Sequence, residues 1–441
     1  MLKKGLNFFV EPVAFAVLFF LTIKRIIWGG GWISIYESTT GNILPECLLW
    51  ALVGGSFLWI SKQKKNLSMV GMAWRRNWIL VGFILFAMGS LFWSEYILVS
   101  FYRVFVLIAC SVIAAYIGIT TPSNILIRNL AWFFIIVAGL SYALALFLPG
   151  IGTFIGYPYF GTWRGLFISK NYMGSLMAFG SILFLFKTQA VEKSISHRLL
   201  SLFPYLLIAG LVFLSRSATA IILFVILNLG SLVVFSWARW KHRLQRGHYI
   251  ALGFLFAGVL ILTLTNLDPI FGLLNKNTTL TGRVPMWSYL IGNGLSKHAL
   301  LGNGFGATWM SDQFRTATQA AIGWDLEALV SDNGWLDIFL HLGLVGVVLL
   351  TLTVLLCVYR TAKHALKERT IISFFPALVM LFFVTANISL SFILELESFA
   401  WFLMVFALFS TTPHPPGIQS MGGRENSYHE DQENNQPRKN I

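Results

Sequence analysis

The sequence predicts an all-α fold: a polytopic membrane helix bundle of about 12 transmembrane helices, with one large extracytoplasmic loop containing short helices. Three observations lead there. Of 441 residues, 56% are hydrophobic and 11% charged, with a mean hydropathy of +0.72, a balance suited to lipid rather than water. The apolar residues form continuous runs of membrane-crossing length, not the short alternating segments of a strand-built barrel. One long polar stretch interrupts them, at about 266–333.

In order, the expected spans are 8–23, 43–60, 78–93, 97–119, 130–148, 172–186, 199–214, 218–236, 249–265, 334–358, 371–391 and 395–411. They divide the chain into an N-terminal membrane bundle of nine spans (1–265), the large loop (266–333), three C-terminal spans (334–411) and a tail (412–441). Lys3 and Lys4 precede the first apolar run as in a signal peptide, but Lys24 and Arg25 follow without a convincing small-residue cleavage site, so a retained span is expected. The tail is rich in Pro, Gly, Asn and Gln and cannot bury enough surface to fold, so it reads as disordered and cytoplasmic. No internal repeat of the two-half transporter kind is visible.

Lys and Arg orient the bundle. With the N-terminus inside, Lys62, Lys64, Lys65, Arg75, Arg76, Arg128, Lys187, Arg239, Lys241, Arg360, Lys363, Lys367 and Arg369 all fall on the cytoplasmic side, in alternate loops. The net charge of +14 therefore reads as topology and attraction to anionic membrane lipids, not nucleic-acid binding. Cys47, Cys110 and Cys357 lie in or at apolar segments, at no spacing that makes a disulfide framework or a metal cluster.

The residues suited to chemistry gather on the opposite face. Arg164, Lys170 and Asn171 lead into the sixth span, where two cations and an amide at a helix mouth can hold a phosphate or a sugar; flanking cations also simply snorkel to headgroups. Arg216 sits in the short connection Ser215-Arg-Ser217, and an arginine at membrane depth faces a cavity or a partner more often than lipid. Its alternative is to bond the exposed carbonyls of the preceding helix. Arg283 precedes Pro285, a residue suited to a first helical position, so Arg283 stands beside free backbone amides fit for a diphosphate. Gly302-Asn-Gly-Phe-Gly306 follows no strand and reads as a turn, after which Ser311 caps a short helix that Gly323 ends. Before the tenth span, Asp332 can accept a proton from an attacking hydroxyl, or Ser331 or Asp332 is simply the helix cap.

Taken together, Arg164-Gly-Leu-Phe-x-x-Lys-Asn-x-x-Gly, Ser215-Arg-Ser-Ala, Thr281-Gly-Arg-x-x-x-Trp, Gly-x-Gly and Asn333-Gly-Trp-Leu-Asp followed by His341-Leu-Gly-Leu-Val-Gly resemble the O-antigen ligase and polysaccharide polymerase family, especially its exopolysaccharide polymerases. The likeness covers about 160–350. It implies a multi-pass protein of the bacterial inner membrane, and the charge pattern puts both termini in the cytoplasm. The implied activity is metal-independent, inverting glycosyl transfer from an undecaprenyl-diphosphate-linked oligosaccharide, with no cofactor. Further implied partners are a flippase and a chain-length regulator. By the same resemblance Arg216 and Arg283 match the family's arginines and, with Asp332, form the expected catalytic set; Arg164, Lys170, Asn171 and Asn333 are the expected substrate-binding residues. One departure stands out: the family's usual His-Asn is here Asp332-Asn333, so an acid that would repel a diphosphate takes the place of an imidazole. The expected function is polymerisation of lipid-linked repeats. Its rivals are a ligase that differs only in acceptor and a transporter of lipid-linked glycan, which would place charges along a mid-membrane path.

Overall fold

The computed structural model describes residues 67–156, 159–191, 195–240, 283–323, 330–393 and 399–412. Among these the regular structure is helical, relieved by an isolated antiparallel bridge between Thr153 and Trp163. The helices are α1 (Leu67–Arg76), α2 (Trp78–Gly89), α3 (Ile97–Thr120), α4 (Ser123–Phe147), α5 (Lys170–Phe186), α6 (Ile195–Leu214), α7 (Ala218–Trp240), α8 (Arg283–Lys297), α9 (Asp312–Ile322), α10 (Gly334–Glu368), α11 (Phe375–Ser389) and α12 (Phe399–Ser410), with short turns of helix such as Pro149–Gly152 between them.

Five described helices are long and apolar enough to cross a membrane, and six if the pair α1 and α2, bent by 81°, is one span. The protein is thus a multi-pass membrane protein. The expected spans 8–23, 43–60 and 249–265 lie outside the described residues, and the other nine coincide with helices. Three of those, α5, the apolar part of α6 and α12, are too short to cross unaided. The 12 residues of α12 rise about 18 Å against a hydrocarbon core of about 30 Å. Every residue of α12 from Phe399 to Phe409 is buried, which explains why it is apolar all round.

Lipid tails are as apolar as leucine, so close packing rather than water exclusion has to hold such helices together. Gly118 lets α3 approach the Phe406 carbonyl of α12, where an added Cβ would lie 2.8 Å away. In the core, Phe179 of α5 is ringed by Phe134, Phe382 and Phe399, with centroids 4.9 to 6.1 Å apart. Such offset and edge-on aromatic contacts add about 0.5–1.5 kcal/mol each beyond the area they bury. Large apolar side chains such as Phe92, Trp132, Phe147, Phe203 and Leu355 point outward, as a lipid-facing surface requires.

Polar residues secure the end of the bundle that carries Arg75, Arg76, Lys363, Lys367 and Arg369. At the α1–α2 bend the buried Asn77 donates to the Ala73 carbonyl (2.9 Å) and to Thr412 Oγ1 (3.2 Å) and accepts from Arg360, whose other nitrogen donates to the Arg76 carbonyl. The opposite end holds 149–156, 159–169, the turn 215–217, 283–323 and 330–333.

Helix α10 departs from the expected single span. It is broken at Gly343 (φ 61°, ψ −164°), so Gly334–Leu342 is a separate short segment. The break frees backbone groups that lipid cannot satisfy. The loop at 299–304 supplies them: Leu344 N and Val345 N donate to the Ala299 and Leu300 carbonyls (2.8 and 3.3 Å), and Asn303 N and Gly304 N donate to the Leu340 and His341 carbonyls (3.1 and 2.9 Å). The glycine-rich segment is the turn the sequence implies, with a new role as the patch over a broken helix.

The remaining loop elements follow local rules. Ser311 accepts from Phe314 N at the start of α9, and Gly323 ends that helix in the left-handed conformation. A small apolar core of Met286, Leu290, Trp309, Leu336 and Leu340 binds α8, the Thr308–Met310 turn and the start of α10 into one cap.

Candidate functional site

Helix α8 is described from Arg283 onward, so Pro285 lies beyond a first helical position. The Arg283 side chain is 10% exposed and reaches Asp332, with Nε and Nη2 2.9 and 2.8 Å from Oδ2. Trp287 of the same helix donates from Nε1 to the Ser331 carbonyl at 2.7 Å, holding the 331–333 segment against α8.

Neither Ser331 nor Asp332 caps α10. Asn333 does, its Oδ1 accepting from Trp335 N and Leu336 N at 3.0 and 3.1 Å while its Nδ2 donates to the Ile388 carbonyl at 3.2 Å. Asp332 is left on the preceding turn in the left-handed region (φ 54°), a conformation that Asp and Asn tolerate better than most residues. The cap therefore displaces the carboxylate from the helix start and presents it to Arg283.

Close by is Asp337, the last residue of the Asn333-Gly-Trp-Leu-Asp motif, to which the sequence reading gave no role. Asp337 is fully buried; its Oδ1 accepts from Trp309 Nε1 (2.9 Å) and Ser331 N (3.2 Å), and its Oδ2 accepts from the Ser391 hydroxyl. It ties the loop, the start of α10 and the segment after α11 together. Its signal was present, since an acid inside an apolar span is costly without partners.

Of the other cations, Lys170 reaches this region, from the start of α5. Lys170, the first residue of α5, is 7% exposed, with Nζ 4.3 Å from the Tyr159 ring centroid. Burial raises the Tyr159 phenol above its ordinary range, the Asp332 charge adds to this and Arg283 opposes it, so Tyr159 stands in the field of both. Tyr159 is thus a second residue missed from sequence, although it belongs to a turn-rich aromatic stretch just before Arg164. Asn171 accepts from the Ser217 hydroxyl at 2.8 Å, which fixes the 215–217 turn against α5.

Arg216 occupies that turn at φ 48°, its backbone N–H closing on the Phe213 carbonyl (3.0 Å). Its side chain is exposed and makes no hydrogen bond or ion pair among the described residues. Arg164 is placed otherwise. Its Nε and Nη2 donate to the carbonyls of Ile151 and Gly150 (2.7 and 3.3 Å), its plane lies over Phe154, and burial lowers its pKa. It therefore braces the 149–154 turn instead of joining Arg283. Among the described residues, no group of three or more His, Cys, Asp or Glu is placed to hold a metal ion.

Residues 203–351 match the family model described as O-antigen ligase. This stretch, about a third of the chain, is similar to the O-antigen ligase family. The matched stretch contains Arg216, Arg283, Asp332, Asn333 and Asp337, whereas Tyr159, Arg164, Lys170 and Asn171 precede it. No curated protein matches the chain.

Proposed function

We propose that the protein polymerises polyprenyl-diphosphate-linked oligosaccharide repeats, carried on undecaprenyl, on the extracytoplasmic face of the bacterial inner membrane. The observation that carries the reading is the meeting of Arg283 with Asp332 inside the matched stretch, in reach of the Tyr159 and Lys170 contact. The orientation follows from charge: the end bearing Arg75, Arg76, Lys363, Lys367 and Arg369 faces the cytoplasm, with both termini.

In this mechanism Arg216, Arg283 and Lys170 receive the diphosphate of the donor. A hydroxyl of the incoming repeat attacks C1 of the donor sugar, and its proton passes to Asp332. The bond from C1 to the diphosphate oxygen breaks, and the diphosphate leaves with the electron pair. Single displacement inverts the configuration at C1. Charge grows on the departing diphosphate, so fixed guanidinium donors stabilise the transition state more than the ground state. Asp332 replaces the family's histidine as base, and its repulsion of the diphosphate is offset by its bond to Arg283. Asn171 holds the Arg216 turn through Ser217, and Asn333 sets the position of Asp332 as the helix cap; contact from Asn333 to an acceptor hydroxyl would require giving up one of its present bonds. Arg164 supports the loop that carries Tyr159.

The test is incubation of the purified protein in nanodiscs with polyprenyl-diphosphate oligosaccharide, without nucleotide sugar or added metal. Longer glycans from the wild type and none from Arg283→Ala or Arg216→Ala are expected; normal polymer from both variants sinks the reading. Because the matching family model is described as a ligase, transfer to a lipid or protein acceptor is the second reading. Product identity separates the two, a long carrier-linked polymer in one case and an acceptor conjugate in the other.

A further inference from the structure

A second cleft lies in the cap, separate from the Arg283–Asp332 pair. It measures about 290 Å³ and is lined by Glu95 and Tyr96 from the turn before α3, by Tyr289 and Asn293 of α8, and by His298, Asn303 and Gln313 of the loop. That volume is at the lower end of pockets that take small organic ligands, about 300 Å³ upward.

Its chemistry selects the ligand. Three amides, Asn293, Asn303 and Gln313, line it, and amide side chains are the groups that pair with the hydroxyls of a sugar. Asn303 spends its Nδ2 on the Leu340 carbonyl (3.0 Å) and on Thr308, which aligns the amide and leaves its oxygen as an acceptor. Tyr289 and Phe314 add apolar ring surface, and Phe314 is held edge-on to Trp309 at 5.3 Å. Among the described residues the lining has one carboxylate, Glu95, and no Lys or Arg. An anionic group such as a second diphosphate would meet repulsion there, whereas a sugar ring would meet acceptors and an apolar wall.

Placement gives the cleft its role. Arg283 lies in α8, and Tyr289 and Asn293 follow six and ten residues later, about 9 and 15 Å along the same helix axis. The geometry points to a carbohydrate subsite that grips an uncharged sugar of the glycan while the diphosphate is held at Arg283; this extends the glycosyl-transfer reading above. The sugar belongs to the growing chain or to the incoming repeat, which share this chemistry.

The experiment uses the full chain in nanodiscs and short oligosaccharides released by partial hydrolysis from the polymer of the cells that carry it, free of lipid and diphosphate. Saturation-transfer NMR and calorimetry should detect binding to the wild type. Tyr289→Ala, Asn293→Ala and the surface change Glu95→Gln should each weaken it, by about tenfold for the first two, as the loss of one good contact implies. Inorganic diphosphate should not compete. Binding unchanged in all three variants whose thermal unfolding matches the wild type, or displaced by diphosphate, overturns the subsite. With lipid-linked substrate, shorter product at an unchanged initial rate assigns the cleft to the growing chain, and a raised KM for the repeat at unchanged length assigns it to the incoming one. Oligosaccharide binding lost in the cleft variants, from a protein that makes no polymer, would uphold the subsite and sink only the polymerase reading.

Discussion

Both bonds from Arg283 to Asp332 converge on one carboxylate oxygen, Oδ2, although the two residues are 49 positions apart. Oδ1 accepts no hydrogen bond from the described residues, so one oxygen is fixed by the cation and the other is available to a hydroxyl. As a base, Asp332 should contribute about 10²–10⁴ in rate, and Arg283 about 10²–10³ through the leaving group. Asp332→Asn, which tolerates the same backbone conformation, should lower kcat by at least about 100-fold with little change in KM. The double variant with Arg283→Ala should lose less than the sum of the two in free energy, as coupled groups do. Wild-type rates in Asp332→Asn would reduce the pair to a structural tie.

Asp337 should matter for stability before it matters for rate. Asp337→Ala strands the Trp309 N–H and the Ser331 N–H in a buried setting, each costing about 1–3 kcal/mol. Thermal unfolding in detergent should fall clearly for Asp337→Ala and less for Asp337→Asn, which keeps an acceptor. Equal unfolding temperatures for wild type and Asp337→Ala would deny it the role of a tie.

Gly343→Ala probes the broken helix. A Cβ there would collide with the Leu300 carbonyl, and the left-handed backbone disfavours a side chain independently. We expect loss of the docked 299–304 loop, seen as rapid proteolysis in the cap, with α3 and α4 still inserted. Protease resistance like that of the wild type would mean the chain closes the break another way.

Tyr159 tests the aromatic link between Lys170 and the ion pair. Its phenol is raised above 10 by burial and by Asp332, so it is neutral through the working range. The folded state holds this proton more tightly than the unfolded chain. Its stabilising contribution is therefore complete below about pH 10 and fades as pH rises through the raised folded value. Tyr159→Phe keeps the ring over Lys170 and should leave KM within a few-fold, whereas Tyr159→Leu should raise KM for the lipid-linked donor several-fold, from a cation–π contact of about 0.5–2 kcal/mol. An activity transition between pH 6 and 9 that vanishes in Tyr159→Phe would contradict this assignment.

What the sequence determined by itself was whatever depends on neighbours along the chain. Apolar runs long enough to satisfy their own backbone in lipid marked the helices, and Ser311 and Gly323 bounded α9 because caps are local chemistry. The arginines stood out for a similar reason, since a cation beside an apolar run has to meet headgroups, a partner or a cavity wherever the rest of the fold lies. Three things depended on tertiary structure. Arg283 found Asp332 while Arg164 was drawn to the carbonyls of Gly150 and Ile151, a choice between equal-looking guanidiniums made by which acceptor the fold brings near. The span after the large loop broke at Gly343 because a distant glycine-rich turn could satisfy the freed amides and carbonyls, which no reading of hydropathy contains. Tyr159 and Asp337 joined the site through contacts made across the fold, because hydrogen bonds and ring contacts act over a few ångströms of space and take no account of distance along the chain.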